Sequence, residues 1–213
     1  MMHDLASPRA RAVPSRTEIA ARLATHPPLD TLLTADDLEK QQLAASRGLR
    51  PAAVLLLVVN HAEPTVVFTM RTAHLSDHAG QISFPGGRCD EGDCTPERTA
   101  LREAHEEIGL ESRYVARAGY LRDHVVISGF RVTPVVAFVA PGFDLRLDTT
   151  EVEDVFEVPL EYALDPANQV PRERHFAGLT IVTCDIRYHD RQIWGATASM
   201  LLTLSRLLRP GAA

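Results

Sequence analysis

Strands interleaved with a few helices predict an α/β domain, a mixed β-sheet with helices on both faces. Three stretches carry this expectation. AAVLLLVV at 52–59 is a continuous apolar run of strand length and reads as a buried strand. Residues 95–109 hold a helix with its own start and stop signals, and residues 194–208 form a closing helix with ATASMLLTLSRLL as its apolar body.

Residues 1–33 are rich in Ala, Arg, Pro and Ser, with Pro8, Pro14, Pro27 and Pro28 interrupting any regular element. A flexible N-terminal arm with one short helix near 19–24 is expected there, ahead of a single domain at 34–213. Arg9, Arg11, Arg16 and Arg22 give the arm a faint transit-peptide look. Asp4, Glu18, the early prolines and the lack of an apolar core argue against any such leader. Thr34 caps an expected helix whose apolar side is Leu38, Leu43, Ala44 and Ala45 and which Gly48 closes. After the strand at 52–59, four residues from His61 to Pro64 suit a hairpin into a second strand at 65–71. Further strands are expected at 115–123, 131–139 and 179–188.

The helix at 95–109 starts with Thr95 as N-cap, Pro96 at the first helical position and Glu97 in the first turn; Gly109 ends it. Leu101, Ala104 and Ile108 fall on one apolar stripe that faces a core. Glu103, Glu106 and Glu107 are then expected on the opposite side, where like charges at helical spacing cost roughly 0.2–0.5 kcal/mol per pair. Arg102 reaches Glu106 at i+4, but one guanidinium does not neutralise three carboxylates. A hard divalent cation such as Mg²⁺ would, since it takes oxygen ligands and keeps waters and substrate phosphates in its shell. The alternative is a solvated acidic helix face. Gly86 and Gly87, just upstream, let the backbone approach a ligand closely, and either carbonyl could complete a metal shell.

Gly87, Arg102, Glu103, Glu106, Glu107, Gly109 and Leu110 fit G-x5-E-x7-R-E-U-x-E-E-x-G-U, where U is bulky and apolar; Ala104 holds the first U position with a small side chain. The string resembles the Nudix box. Asp93 stands where that pattern has Glu, and the loop before the helix is one residue longer. Upstream, FTMRTAHLSDHAGQISFPGG at 68–87 resembles the signature that precedes the box in coenzyme A diphosphatases of the Nudix superfamily, through Arg71, His78, Gly80, Gln81, Ile82 and FPGG. Ser76 stands where that signature usually has arginine. IWGATA at 193–198 resembles the end of the same subfamily.

The resemblance implies a Nudix-type α/β/α sandwich with a mixed sheet and the Nudix loop-helix. It also implies Mg²⁺-dependent hydrolysis, with Mn²⁺ as a substitute, of the diphosphate in coenzyme A or acyl-CoA to 4′-phosphopantetheine and adenosine 3′,5′-bisphosphate. Glu103, Glu106, Glu107 and the Gly87 carbonyl would hold the metal while Arg102 orients the carboxylates. Arg71, His78, Gly86 and Gly87 would contact a CoA-like nucleotide. The general base would be Glu103 or a later acid, Glu151 or Glu153. Hydrolysis of another nucleoside diphosphate derivative, such as ADP-ribose, and a non-catalytic nucleotide-binding module are the alternatives.

Composition bounds the rest. A chain of 213 residues, 45% hydrophobic and 23% charged, suits one core. A formal charge of −6 offers no basic footprint for nucleic acid. No apolar run approaches membrane-spanning length. Three cysteines, an odd number, make no disulfide framework, so a reducing, cytoplasmic setting is expected. Cys89 and Cys94 are free thiols or, with His74, His78 or His105, a zinc site; Cys184 belongs to the core. Trp194 either stacks on an adenine or anchors the core. A homodimer is left open.

Overall fold

The central strand β1 (Arg50–Val59) carries the whole fold, because its residues are buried on both faces. In this computed structural model, residues 13–27, 48–73, 80–176 and 179–209 are described. Ala53, Leu55, Leu57 and Val59 of β1 enter one apolar cluster, while Ala52, Leu56 and Val58 enter another. That two-residue alternation between two cores is why the sequence shows an unbroken apolar run rather than a polar–apolar pattern.

Around β1 lie β2 (Thr65–Arg71), β3 (Ile82–Ser83), β4 (Gly86–Arg88), β5 (Val115–Tyr120), β6 (His124–Val126), β7 (Phe130–Val139) and β8 (Val152–Pro159). The main path is β3-β2-β1-β7-β5, with β4 on β1, β6 on β7 and β8 on β2. β1 and β7 are parallel and all other pairs are antiparallel, so the sheet is mixed as expected. One edge of β1 is shared: its C-terminal end pairs with β2 through Val58 and Val66, and its N-terminal end with β4 through Ala53 and Gly87. The chain crosses from the first to the second at Phe84 and Pro85, whose carbonyl accepts the Leu55 N–H at 2.8 Å.

The sheet has helices on both faces. On one, α2 (Pro96–Ile108) buries Ala100, Ala104 and Ile108 against β1 and β7. The other is covered by α1 (Arg16–Arg22), α3 (Leu160–Leu164), α4 (Gly195–Leu207) and a second sheet, β9 (Val170–Phe176), β10 (Leu179–Tyr188) and β11 (Arg191–Trp194), in the order β11-β10-β9. This separate antiparallel sheet, and β8, go beyond the one sheet expected from the sequence. β9 reads VPRERHF, too polar to announce a strand. Cys184 lies in the core as expected.

Within the segment expected as an arm, residues 13–27 are packed onto the domain. Ile19 and Leu23 are buried, Arg16 stacks on Phe138, and Ala24 bridges Tyr120. Two apolar residues one turn apart suffice to anchor a seven-residue helix. The expected helix at 34–48 falls mostly outside the described residues. Among the described residues no helix is long and apolar enough to cross a membrane.

Candidate active site

α2 begins as its sequence dictates, with the Thr95 hydroxyl accepting the Arg98 N–H and Pro96 in the first turn. It ends at Gly109, whose φ of +71° is left-handed. Between them the three glutamates do not share one face. Glu107 is 5% exposed, on the flank of the buried stripe, whereas Glu106 is exposed and Glu103 half-buried. At 100° per residue Glu107 sits only about 60° from Ala104, so it follows the stripe into the sheet. The expectation that all three lie together on the side opposite the apolar stripe is corrected accordingly.

The glycines explain how Glu103 and Glu107 fit. The Gly86 N–H donates to Glu107 Oε2 at 3.1 Å. A Cβ on Gly87 would lie 2.6 Å from the Glu103 carboxylate, so any larger residue there would move that carboxylate off β4. Burial pushes the Glu107 carboxyl up to about 8, against the Gly86 hydrogen bond that favours its charge; Glu103 adds to the rise. Glu103 is also raised, again chiefly by burial and against the pull of Arg102.

Arg102 is the organiser on the outer side. Its guanidinium donates to Glu106 at 2.9 Å and to the Arg88 carbonyl at 2.9 Å, and pairs with Glu103 at 2.9 Å. Its firmest partner was not foreseen. Asp93 accepts from Arg102 at 2.8 Å and from the Thr99 hydroxyl at 3.0 Å, and these bonds hold its carboxyl down at about 2. Thr99 and Arg102 stand three apart on α2, which lets both reach this one carboxylate.

On the inner side Arg71, at the end of β2, lies 4.0 Å from Glu107 and 4.0 Å from Glu151. Its Nε is buried and finds no hydrogen-bond partner among the described residues. Glu151 sits immediately before β8, with its carbonyl accepting the Thr72 N–H at 3.0 Å. So Arg71, Glu103, Glu107 and Glu151, scattered over 81 positions, form one charged cluster in which Glu151 raises both box carboxyls. Glu153, the other candidate acid, is an exposed residue of β8 and not part of a loop. His78 and Ser76 lie outside the described residues. Trp194 is half-buried, with the Arg174 guanidinium 4.4 Å above its ring.

This donor set fits a hard cation in chemistry, since every ligand on offer is oxygen and the carboxylates oppose one another's charge. Among the described residues no three acidic, histidine or cysteine side chains converge closely enough to share one ion as placed. Glu106 is paired with Arg102 instead. Hollows of about 500 and 590 Å³ flank α2, lined by His105 and Glu111 among others but by neither Arg71 nor Glu107. We therefore locate the candidate site by its buried carboxylates and under-paired guanidinium.

A sequence model of the NUDIX domain matches residues 48–177. A Salmonella paratyphi B protein described as uncharacterized Nudix hydrolase NudL is 36% identical over 178 residues, covering 83% of this chain and 93% of its own. Among solved structures, the Nudix hydrolase RenU of M. smegmatis covers 54% of this chain and 73% of its own at 27% identity and a TM-score of 0.45. The NUDIX domain of Shewanella oneidensis NrtR, complexed with ADP ribose, covers 61% of this chain and 84% of its own at 21% identity and a TM-score of 0.42.

Proposed function

The chain belongs to the Nudix hydrolase family, and from that premise we propose that it cleaves the diphosphate bond of coenzyme A or an acyl derivative. The products would be 4′-phosphopantetheine and adenosine 3′,5′-bisphosphate. The observation that carries the reading is Arg71. It belongs to the stretch at 68–87 that resembles the coenzyme A diphosphatase signature, and its guanidinium stands 4.0 Å from both Glu107 and Glu151, with a buried Nε that has no hydrogen-bond partner among the described residues. A phosphate oxygen would supply the missing acceptor.

Enzymes of this family generally use a divalent cation. Glu103, Glu106 and Glu107 would hold Mg²⁺ or Mn²⁺, with the Gly87 carbonyl as a further donor. When bound, the ion neutralises diphosphate charge and lowers the pKa of a water. Glu106 is held by Arg102 through Oε2, which leaves its other carboxylate oxygen to offer a cation, and Arg102 is itself anchored through Asp93. Glu151 is half-exposed beside Arg71 and Glu107, where a carboxylate can take a proton from an attacking water. Gly87 leaves the room that the Glu103 carboxylate occupies, and Gly86, packed against Ala53 and Val54 of β1, brings its N–H to Glu107.

The test is product analysis of purified protein with Mg²⁺ and coenzyme A, dephospho-coenzyme A or ADP-ribose, with Glu107→Gln run in parallel. Adenosine 3′,5′-bisphosphate released from coenzyme A by the wild type and not by the variant is the expected result. Cleavage of ADP-ribose alone would keep the hydrolase and discard the substrate. Wild-type turnover in Glu107→Gln would remove that residue from the metal set.

A further inference from the structure

The turn that presents Glu151 is fastened to the end of α2 by main-chain bonds, and Asp148 stands where that fastening meets the turn. Its N–H donates to the Glu107 carbonyl at 2.9 Å, and its carbonyl accepts the N–H groups of Glu151 at 3.1 Å and Val152 at 2.8 Å. Its Oδ1 accepts the Thr150 N–H at 2.9 Å and the Thr150 hydroxyl at 2.6 Å. The Arg146 N–H takes the Ile108 carbonyl at 2.9 Å, so the loop fills two carbonyls that a helix C-terminus leaves without intrahelical partners. The approach is tight. A Cβ on Gly109 would lie 3.0 Å from the Arg146 backbone N and O, which gives the last glycine of the box a second task besides its left-handed φ. On the far side the Thr72 N–H bonds the Glu151 carbonyl and the Thr72 hydroxyl bonds Thr150 O at 3.2 Å.

Resting on the base assignment above, we infer that Asp148 is a positioning residue for Glu151: its carboxylate fixes the turn that carries Glu151 by accepting both Thr150 bonds, while its main-chain N–H, kept in every variant, ties that turn to the helix that carries Glu107. The side chain acts only as an acceptor. Asparagine keeps an oxygen at Oδ1 and both Thr150 bonds, whereas alanine leaves the Thr150 N–H without its partner and frees the turn to shift. A plain surface turn would contribute to stability alone and would affect every variant background equally.

The full chain is assayed with Mg²⁺ and coenzyme A or ADP-ribose as wild type, Asp148→Ala, Asp148→Asn, Glu151→Gln and the Asp148→Ala/Glu151→Gln double variant. Asp148→Ala should lower kcat about 10- to 100-fold, the scale of a misplacement of about 1 Å, with KM little changed. Asp148→Asn should restore most of it. In the Glu151→Gln background Asp148→Ala should lower kcat no further, because no carboxylate is left to place. Amide hydrogen exchange gives a readout independent of turnover: Thr150 and Val152 should exchange faster in Asp148→Ala while the amides of α2 keep their protection. Unchanged exchange, wild-type kcat in Asp148→Ala, or an equal loss in both backgrounds overturns the positioning role. Wild-type kcat in Glu151→Gln overturns the base assignment and the positioning with it, whereas an impaired Glu151→Gln beside an unimpaired Asp148→Ala overturns the positioning alone.

Discussion

Glu107 joins packing to chemistry in one side chain. Without metal its carboxyl is held up at about 8 against an ordinary 4.5, so between those values the folded protein keeps a proton that the unfolded chain has lost. Stability contributed by this group is therefore fully present below about pH 4.5 and lost as pH rises towards 8. Glu107→Gln carries no titrating group there. In EDTA, the melting temperature of the wild type relative to this variant should fall between pH 5 and pH 8. Parallel curves would show that burial does not hold the proton.

At the scale of elements, α2 and its loop form one unit. Asp93 ties the loop to Arg102 and Thr99, and its carboxyl sits near 2 rather than the ordinary 3.8. Depression works with the opposite sign: this stabilisation is present above about pH 4 and lost as pH falls through 2. Asp93→Ala should cost about 1.5–3 kcal/mol at pH 7 in urea denaturation, the range for a hydrogen bond to a charged group, and the gap from wild type should close as pH falls from about 4 through 2. The helix was legible to the residue, because its cap, its proline and its terminal glycine are local signals. The role of Asp93 was less so, since only the motif alignment singled it out and nothing local says that it reaches back to Arg102. β8 was missed because its apolar residues Val155, Phe156 and Val158 are broken up by Glu153, Asp154 and Glu157. Those charges are tolerated at the outer edge of β2, where β8, among the described residues, pairs on one side only.

For the whole molecule, a bound divalent ion couples the site to folding. Binding to the folded state stabilises by RT ln(1 + [L]/Kd), about 2.7 kcal/mol at a hundredfold excess over Kd. For a chain of this size each kcal/mol raises the melting temperature by roughly 2–4 °C. Saturating Mg²⁺ should therefore raise it by several degrees in the wild type, and EDTA should reverse the gain. Glu107→Gln should show little of the rise; an equal rise would place the ion elsewhere.

The amino-acid sequence determined β1, the β1–β2 hairpin, α2 with both of its ends, and the residues of the box, because periodicity, caps and glycines act within a few neighbours. Helical spacing puts Glu107 nearer the stripe than Glu106, but only the tertiary structure decided how deeply it is buried, since that depends on which side of α2 meets β4. It likewise decided that Arg71 and Glu151 join the box. Their meeting is set by the pairing of β2 with β8 and by the loop across the end of α2, contacts between segments 80 positions apart that no local pattern encodes.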